Sequence, residues 1–311
     1  MNIRVLSIII SVAIIALLYW QIDINKVIHV LLQINLTWLS LGLALVIPIT
    51  LLTAFRLTYL SMSSNKINYL DALKLILAAS VMNLVLPSKM GDLAKAVFIV
   101  KDKKINYSQA LPLVVFEKIS DLLALLLWCI VGLISLQNYS NFYIFLLLIS
   151  LVFFVIGILT ISSKPFANSI FVLIMFILPK RFFLSVSDFQ KGWFEAIDFI
   201  KKDKIKVWTL SLLSIFLWFL HLLQIWLFIL SLSPNVDFLI SLAITPLAIF
   251  AGLIPLTFSG IGTRDFAFIY FYSAYFPAAT GAALGILATL RYVIPAIAGI
   301  PFFSHYLKKI R

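Results

Sequence analysis

Long runs of apolar residues dominate the pattern of the chain. A transmembrane helix needs about 20 mostly apolar residues, because the hydrocarbon core is about 30 Å thick and each helical residue rises about 1.5 Å. Six runs meet this requirement without an internal break: residues 3–20, 36–60, 108–135, 142–162, 206–232 and 280–304. The pattern therefore predicts an all-α, polytopic membrane protein with about six full spans.

Two further apolar regions are interrupted near their middle. The region from Leu70 to Val100 is broken by residues 87–92, and the region from Phe238 to Tyr275 is broken by residues 255–262. Both breaks contain proline and glycine, which end helices and favour turns. The pieces on either side are mostly too short to cross a bilayer, so each region is predicted to be a re-entrant helix–turn–helix hairpin.

The composition agrees with a membrane protein. The chain is 63% hydrophobic and 12% charged, whereas soluble domains are about 45–50% apolar and about 25% charged. This balance argues against a soluble enzyme, and it favours reading the net charge of +12 as cytoplasmic loops near anionic lipid rather than as a nucleic-acid-binding surface.

The distribution of Lys and Arg predicts an orientation. If the N-terminus is cytoplasmic and both hairpins are re-entrant, the predicted outer loops contain only one basic residue, Lys26. Arg56 is then assigned to the cytoplasmic end of the second span. We expect a multi-pass protein of the cell (inner or plasma) membrane with both termini in the cytoplasm.

Two segments leave alternatives open. Residues 3–20 also resemble a signal peptide, but the missing small-x-small site and the terminal Tyr19–Trp20 favour an uncleaved span. Residues 166–178 are apolar but short, and they fit an interfacial helix, a re-entrant piece or a tilted span; we prefer the first.

Residues 182–200 carry apolar side chains at helical spacing, which predicts an amphipathic helix on the cytoplasmic leaflet.

The two broken regions have the same context, since each lies between two spans and has charged residues after its break. Pro87 and Pro255 lie about 168 residues apart. We expect one membrane domain over residues 1–311: a first span and linker (1–35), a first repeat (36–135), a connecting span with the amphipathic segment (136–205), a second, inverted repeat (206–304) and a tail (305–311). Inverted repeats with broken helices are typical of secondary transporters. The alternative is a purely structural kink in each helix.

Charged residues inside predicted spans are the strongest functional signal. A charge at the bilayer centre costs about 2.5–3.5 kcal/mol on insertion scales. Arg291 lies near the middle of the last span and is expected to meet an anion in the protein interior. The candidates are the carboxylates of Asp92, Glu117, Asp121 and Asp265, or a phosphate, which suits the planar guanidinium. A structural ion pair is the alternative to a binding site.

Glu117, Lys118 and Asp121 lie within one turn of the third long span, with the two carboxylates on one face at i and i+4. They fit either a cation or proton relay, or ion pairs with nearby cations, and both interpretations stay open.

The hairpin tips are candidate anion sites. Glycine allows close approach of backbone N–H groups, and a helix N-terminus favours an anion. The predicted substrate-binding residues are Lys95, Arg264 and Arg291 with Ser88, Gly91, Gly260, Gly262 and Thr263. Asp92 and Asp265 join Glu117, Lys118 and Asp121 as predicted charge partners or proton-coupling residues. Three scattered His and one Cys offer no zinc spacing, so we predict neither metal nor cofactor.

This constellation resembles the flippase-like transmembrane domain of the lysylphosphatidylglycerol synthase family over nearly the whole chain. The resemblance rests on Arg56, on Leu86-Pro87-Ser88 with Gly91 and Lys95, on Glu117-Lys118-Ile119-Ser120-Asp121, and on Pro255, Thr257, Gly260 to Asp265 and Arg291. The family pattern is P-S-x-x-G-G-x-x-R, E-R-x-x-D, P-x-T-P-G-G-x-G-x-R-E and a late Arg. Here lysine replaces two of its arginines, at Lys95 and Lys118.

The resemblance implies a protein that moves a lipid between leaflets. In the best-known members a soluble C-terminal domain transfers lysine to phosphatidylglycerol, and we expect no such transferase domain here. Our first hypothesis is a translocator of an anionic phospholipid, an aminoacyl-phospholipid or a lipid-linked substrate. The alternatives are an integral-membrane enzyme that modifies lipid headgroups through Glu117 and Asp121, and a non-catalytic partner of a glycosyltransferase or lipid synthase. The expected partners are a membrane lipid and such an enzyme, with no nucleic acid.

Overall fold

The computed structural model describes residues 22–61, 67–86, 91–103, 107–136, 140–177, 179, 183–232, 236–254, 257 and 260–310. All structural statements below concern this part of the chain. Every secondary-structure element among the described residues is an α-helix, as the sequence predicts. The helices are α1 (Ile24–Leu32), α2 (Leu36–Ala44), α3 (Val46–Leu60), α4 (Tyr69–Val85), α5 (Gly91–Lys103), α6 (Tyr107–Ser135), α7 (Asn141–Ser162), α8 (Lys164–Ile177), α9 (Phe183–Lys201), α10 (Lys204–Leu232), α11 (Phe238–Leu253), α12 (Thr263–Phe271) and α13 (Ala278–Ile310).

Four segments of the described chain are long and apolar enough to cross a membrane. They are Leu36–Leu60, which joins α2 and α3, Asn141–Ser162, Lys204–Leu232 and Ala278–Ser304. They coincide with four of the six predicted spans. The predicted span at 108–135 is the 29-residue helix α6, and the predicted span at 3–20 lies outside the described residues. The fold is thus that of a polytopic, all-helical membrane protein.

Both predicted helix breaks are present. The helix α4 ends at Val85 and α5 begins at Gly91, while α11 ends at Leu253 and α12 begins at Thr263. The arms of each pair contact each other, so each pair is a hairpin. Gly260 has a φ of 74°, which only glycine adopts easily. A Cβ on Gly260 would lie 2.7 Å from the carbonyl oxygen of Gly252. Both the backbone conformation and the packing at this turn therefore exclude larger residues.

Each hairpin packs against the helix that follows the other hairpin. The first arm of the first hairpin, α4, packs on α13, the helix that follows the second hairpin. The first arm of the second hairpin, α11, packs on α6, the helix that follows the first. A glycine marks each crossing: a Cβ on Gly299 would lie 2.0 Å from the Leu77 carbonyl oxygen, and one on Gly132 would lie 2.5 Å from the Ala243 nitrogen.

Gly299 follows Gly132 by 167 residues and Ala243 follows Leu77 by 166 residues, close to the 168 residues between Pro87 and Pro255. The arrangement fits two related units, although the boundaries at 36–135 and 206–304 and the inversion stay predictions.

The amphipathic helix α9 differs from expectation in what covers its apolar face. The helix forms as predicted, but Trp193, Ala196, Ile197 and Ile200 are buried in a cluster that includes Leu113 and Phe116 of α6 and Phe171 of α8. Amphipathicity shows that one face is buried but not what buries it. Here protein covers the face that we expected to meet lipid. Whether α8, the short apolar helix before it, crosses the membrane stays open.

Candidate functional site

Six charged side chains form a closed ring of alternating sign, which we call the charge ring. Its order is Arg56, Glu117, Lys95, Asp92, Lys118, Asp121 and back to Arg56. The successive N–O distances around it are 2.9, 2.8, 3.8, 2.7, 2.9 and 2.5 Å. Each carboxylate therefore lies between two cations, and each cation lies between two carboxylates.

Three helices supply the charge ring. Glu117, Lys118 and Asp121 come from adjacent turns of α6, where positions three and four apart share a face. Lys95 and Asp92 come from the start of α5, and Arg56 comes from α3. The Glu117 side chain is fully buried between Arg56 and Lys95. The ring thus ties the return arm of the first hairpin to the two spans that flank the hairpin.

Uncharged side chains complete the hydrogen bonding of the charge ring. The Arg56 Nη1 group also donates to Ser214 Oγ on α10 at 3.0 Å. The Asn83 side chain on α4 donates to Asp92 Oδ1 and accepts from the Asp92 backbone N–H, both at 3.1 Å. An N–H in the first turn of a helix has no partner within that helix. Asn83 therefore bridges the hairpin break and satisfies one such group.

The charge ring forms part of the wall of a cavity of about 370 Å³. Helices α3, α4, α5, α6, α10, α11 and α13 line this cavity. Besides the ring, its wall includes Trp218, His221 and Gln224 of α10 and Arg291 and Tyr292 of α13. A cavity between helices of a membrane protein, with polar side chains in its wall, is the kind of place where charged side chains are tolerated at depth.

Arg291 differs from every cation in the charge ring. Its exposed fraction is 3%, and its Nη2 group donates to the hydroxyl of Tyr292. Its Nε and Nη1 atoms are buried and have no hydrogen-bond partner among the described residues. The guanidinium carbon lies 4.6 Å from the centre of the Tyr292 ring.

Among the described residues no carboxylate forms an ion pair with Arg291, so the first of the two kinds of partner considered from the sequence is not found there. Asp92, Glu117 and Asp121 are held in the charge ring, and Asp265 binds Arg264. Of the partners considered from the sequence, a phosphate remains.

The chain matches the family described as lysylphosphatidylglycerol synthase TM region over residues 4–299. It belongs to this family. No curated protein matches the chain in a sequence comparison. The family match covers both hairpins, the charge ring and Arg291.

The second hairpin of this family member places its charged pair outside the cavity wall. The Arg264 Nη2 group donates to Asp265 Oδ1 at 2.8 Å, to the Gly285 carbonyl at 3.1 Å and to Thr289 Oγ1 at 2.6 Å. The backbone N–H of Gly262 donates to Asp265 Oδ2 at 3.1 Å. The protein's own carboxylate therefore occupies the N-terminus of α12, where we expected a ligand anion.

The predicted site residues thus divide into two groups. The cavity brings together Lys95, Asp92, Glu117, Lys118, Asp121 and Arg291. The residues Gly260, Gly262, Thr263, Arg264 and Asp265 are in the second turn and α12, with Thr263 Oγ1 2.8 Å from Thr257 Oγ1. Gly91 begins α5 beside Asn83, where a Cβ would lie 2.4 Å from the Asn83 nitrogen. Ser88 lies outside the described residues.

Sequence reasoning missed part of the cavity wall. Arg56 was assigned to a cytoplasmic helix end, yet it is buried in the charge ring; only the family motif pointed to it. Trp218, His221 and Gln224 of α10 are not among the predicted site residues. Their spacing of three residues on α10 places all three on one face, which was an available signal.

Proposed function

We propose that the protein moves a lipid with an anionic headgroup between the leaflets of the cell membrane, and that the headgroup binds in the cavity of the charge ring. The observation that carries this proposal is Arg291. It is a buried cation on the cavity wall whose Nε and Nη1 donors have no partner among the described residues. A phosphate oxygen would supply the missing acceptors.

The contrast with the charge ring supports this assignment. The three ring cations face three carboxylates at hydrogen-bonding or ion-pair distances, so their charges are compensated within the protein, although the Arg56 Nε atom is also buried without a hydrogen-bond partner among the described residues. An unpaired cation at membrane depth is costly and is retained mainly where function requires it. Arg291 also has the planar fork that binds two phosphate oxygens at once. The ligand therefore belongs at Arg291, with the ring as a polar wall beside it.

The hairpins offer a mechanism for access from either side. We assign the two proposed repeats, 36–135 and 206–304, opposite orientations, with both termini in the cytoplasm. Movement of the first hairpin, which the charge ring ties to α3 and α6, would open the cavity to one leaflet. Movement of the second hairpin would open it to the other, as in transporters with inverted repeats.

Lipid exchange in liposomes tests the function. Purified protein is reconstituted with fluorescent phosphatidylglycerol, its lysyl derivative or a polyprenyl phosphate, and the fraction reached by an external quencher is followed over time. We expect faster exchange than in empty liposomes for at least one probe, and loss of that exchange in Arg291→Ala. Lys164→Ala is the matched control, because Lys164 forms an exposed ion pair with Asp198, where removal of a cation has little effect.

Two results would refute the proposal. Exchange at the rate of empty liposomes for every probe would remove the translocation function, and would turn attention to a partner enzyme captured by co-purification. Normal exchange in Arg291→Ala would remove the role of the unpaired guanidinium. Among the described residues no contact favours the enzyme alternative, since Glu117 and Asp121 both accept hydrogen bonds from Arg56.

A further inference from the structure

The charged groups around the cavity sum to one positive charge among the described residues. The charge ring contributes three cations and three carboxylates. Arg264 is compensated by Asp265, and histidine is counted as neutral. Arg291 alone remains uncompensated. This sum depends on all charged groups in the described part of the wall. It is therefore distinct from the direct hydrogen bonds that Arg291 can donate to a ligand.

We propose that the cavity selects a phosphodiester headgroup with a single negative charge, such as that of phosphatidylglycerol. It discriminates against phosphomonoesters and against aminoacylated headgroups. The inference rests on the proposed function and names the substrate class for it. A phosphodiester brings the cavity to neutrality. A phosphomonoester carries about −1.5 to −2 charges and leaves an excess of negative charge. A lysylated phosphatidylglycerol carries a net positive charge and would place a second uncompensated cation beside Arg291.

Burial gives this balance its strength. Between charges separated by about 10 Å, an effective dielectric constant of about 20 leaves an interaction that changes binding roughly tenfold per unit charge. In water at physiological salt the same charges would be largely screened. The side chains that set the balance are mostly inaccessible: Arg291 and Arg56 are 3% exposed and Lys95 is 1% exposed.

The cavity volume fits a headgroup rather than a whole lipid. About 370 Å³ lies at the lower end of the range of small-molecule sites, which is about 300–1,000 Å³. The acyl chains would therefore stay in the hydrocarbon region while the headgroup crosses. Selection by charge then acts on the part of the lipid that the cavity encloses.

Two ring variants separate charge balance from direct contact. Lys118 is the most exposed cation of the ring, with 34% of its side chain accessible. Lys118→Gln removes one positive charge while Arg291 is unchanged, so the cavity sum becomes zero. Asp92→Asn removes one negative charge, so the sum becomes +2. If selection depended on Arg291 contacts alone, neither substitution would alter headgroup preference.

The experiment measures exchange rates of fluorescent phosphatidylglycerol, phosphatidylethanolamine, phosphatidic acid and lysylphosphatidylglycerol in liposomes. For the unmodified protein we expect phosphatidylglycerol to exchange roughly tenfold faster than each of the others. In Lys118→Gln the ratio of phosphatidylglycerol to phosphatidylethanolamine should fall roughly tenfold. In Asp92→Asn the ratio of phosphatidic acid to phosphatidylglycerol should rise by a similar factor. Lys164→Gln, in an exposed ion pair, should change neither ratio.

The outcomes distinguish this inference from the function on which it rests. Lysylphosphatidylglycerol or phosphatidic acid exchanging as fast as phosphatidylglycerol in the unmodified protein overturns the inference and leaves translocation standing. Unchanged ratios in both ring variants overturn it as well. If Asp92→Asn does not fold, Lys118→Gln alone shows whether headgroup preference depends on the charge sum or on direct contacts with Arg291. Absence of exchange for every lipid refutes the proposed function itself.

Discussion

The charge ring predicts that removing one charge from it will destabilise the protein more than removing a cation and a carboxylate together. Glu117→Gln keeps the size and one acceptor oxygen of the side chain but removes its charge. Arg56 and Lys95, which lie 2.9 and 2.8 Å from the Glu117 carboxylate, then share an uncompensated buried charge. Breaking a buried ion pair by removing one partner costs about 3–5 kcal/mol. We expect Glu117→Gln to lower the free energy of unfolding by about this amount.

The double variant Lys95→Met/Glu117→Met removes a cation and a carboxylate together. What remains is Arg56 paired with Asp121 and Lys118 paired with Asp92 and Asp121, which is again neutral. Replacing a buried ion pair by well-packed apolar side chains is often neutral or stabilising. The double variant should therefore lose less than half of the stability that Glu117→Gln loses, despite the larger chemical change.

Thermal unfolding in detergent, followed by the fluorescence of the seven tryptophans, measures the difference. At about 2 °C per kcal/mol for a larger domain, Glu117→Gln should lower the unfolding temperature by at least about 6 °C. The reasoning fails if Glu117→Gln unfolds at the temperature of the unmodified protein. It also fails if the double variant loses half or more of the stability that Glu117→Gln loses.

Two further predictions concern residues outside the cavity. Gly299→Leu should lower the free energy of unfolding by at least about 1–3 kcal/mol, because its side chain would overlap the Leu77 carbonyl oxygen on α4 and overpacking shifts the backbone; an unfolding temperature equal to that of the unmodified protein would contradict the crossing. Arg264→Gln should lower the free energy of unfolding by about 3–5 kcal/mol, since it leaves the charge of Asp265 uncompensated. An unfolding temperature equal to that of the unmodified protein would contradict this role of the ion pair.

The spans and the helix breaks were predictable because their signals are local. Apolar runs of span length and paired Pro and Gly residues act on the backbone where they occur, and α4 to α5 and α11 to α12 break where those residues stand. The i, i+4 spacing also placed Glu117 and Asp121 on one face.

The charge ring itself was not predictable from spacing. Its closure depends on Arg56, which is 61 residues from Glu117 and reaches it only through the packing of α3 against the rest of the bundle. An arginine near a span end is typical of a cytoplasmic loop, and nothing local distinguishes one that turns inward. The apolar face of α9 posed the same difficulty, since lipid and protein are equally apolar neighbours.

The exchange of partners between the hairpins has a consequence for assembly. The surface of α4 that contains Leu77 finds its partner only when α13 is present, more than 200 residues later in the chain. A chain that emerges from its N-terminus must therefore carry an incompletely packed hairpin through most of its synthesis. The last helix then acts as a closing element, which fills the gap in the first half as well as completing the second. Each hairpin therefore packs against a helix that follows the other hairpin, so contacts between the two parts of the chain run in both directions.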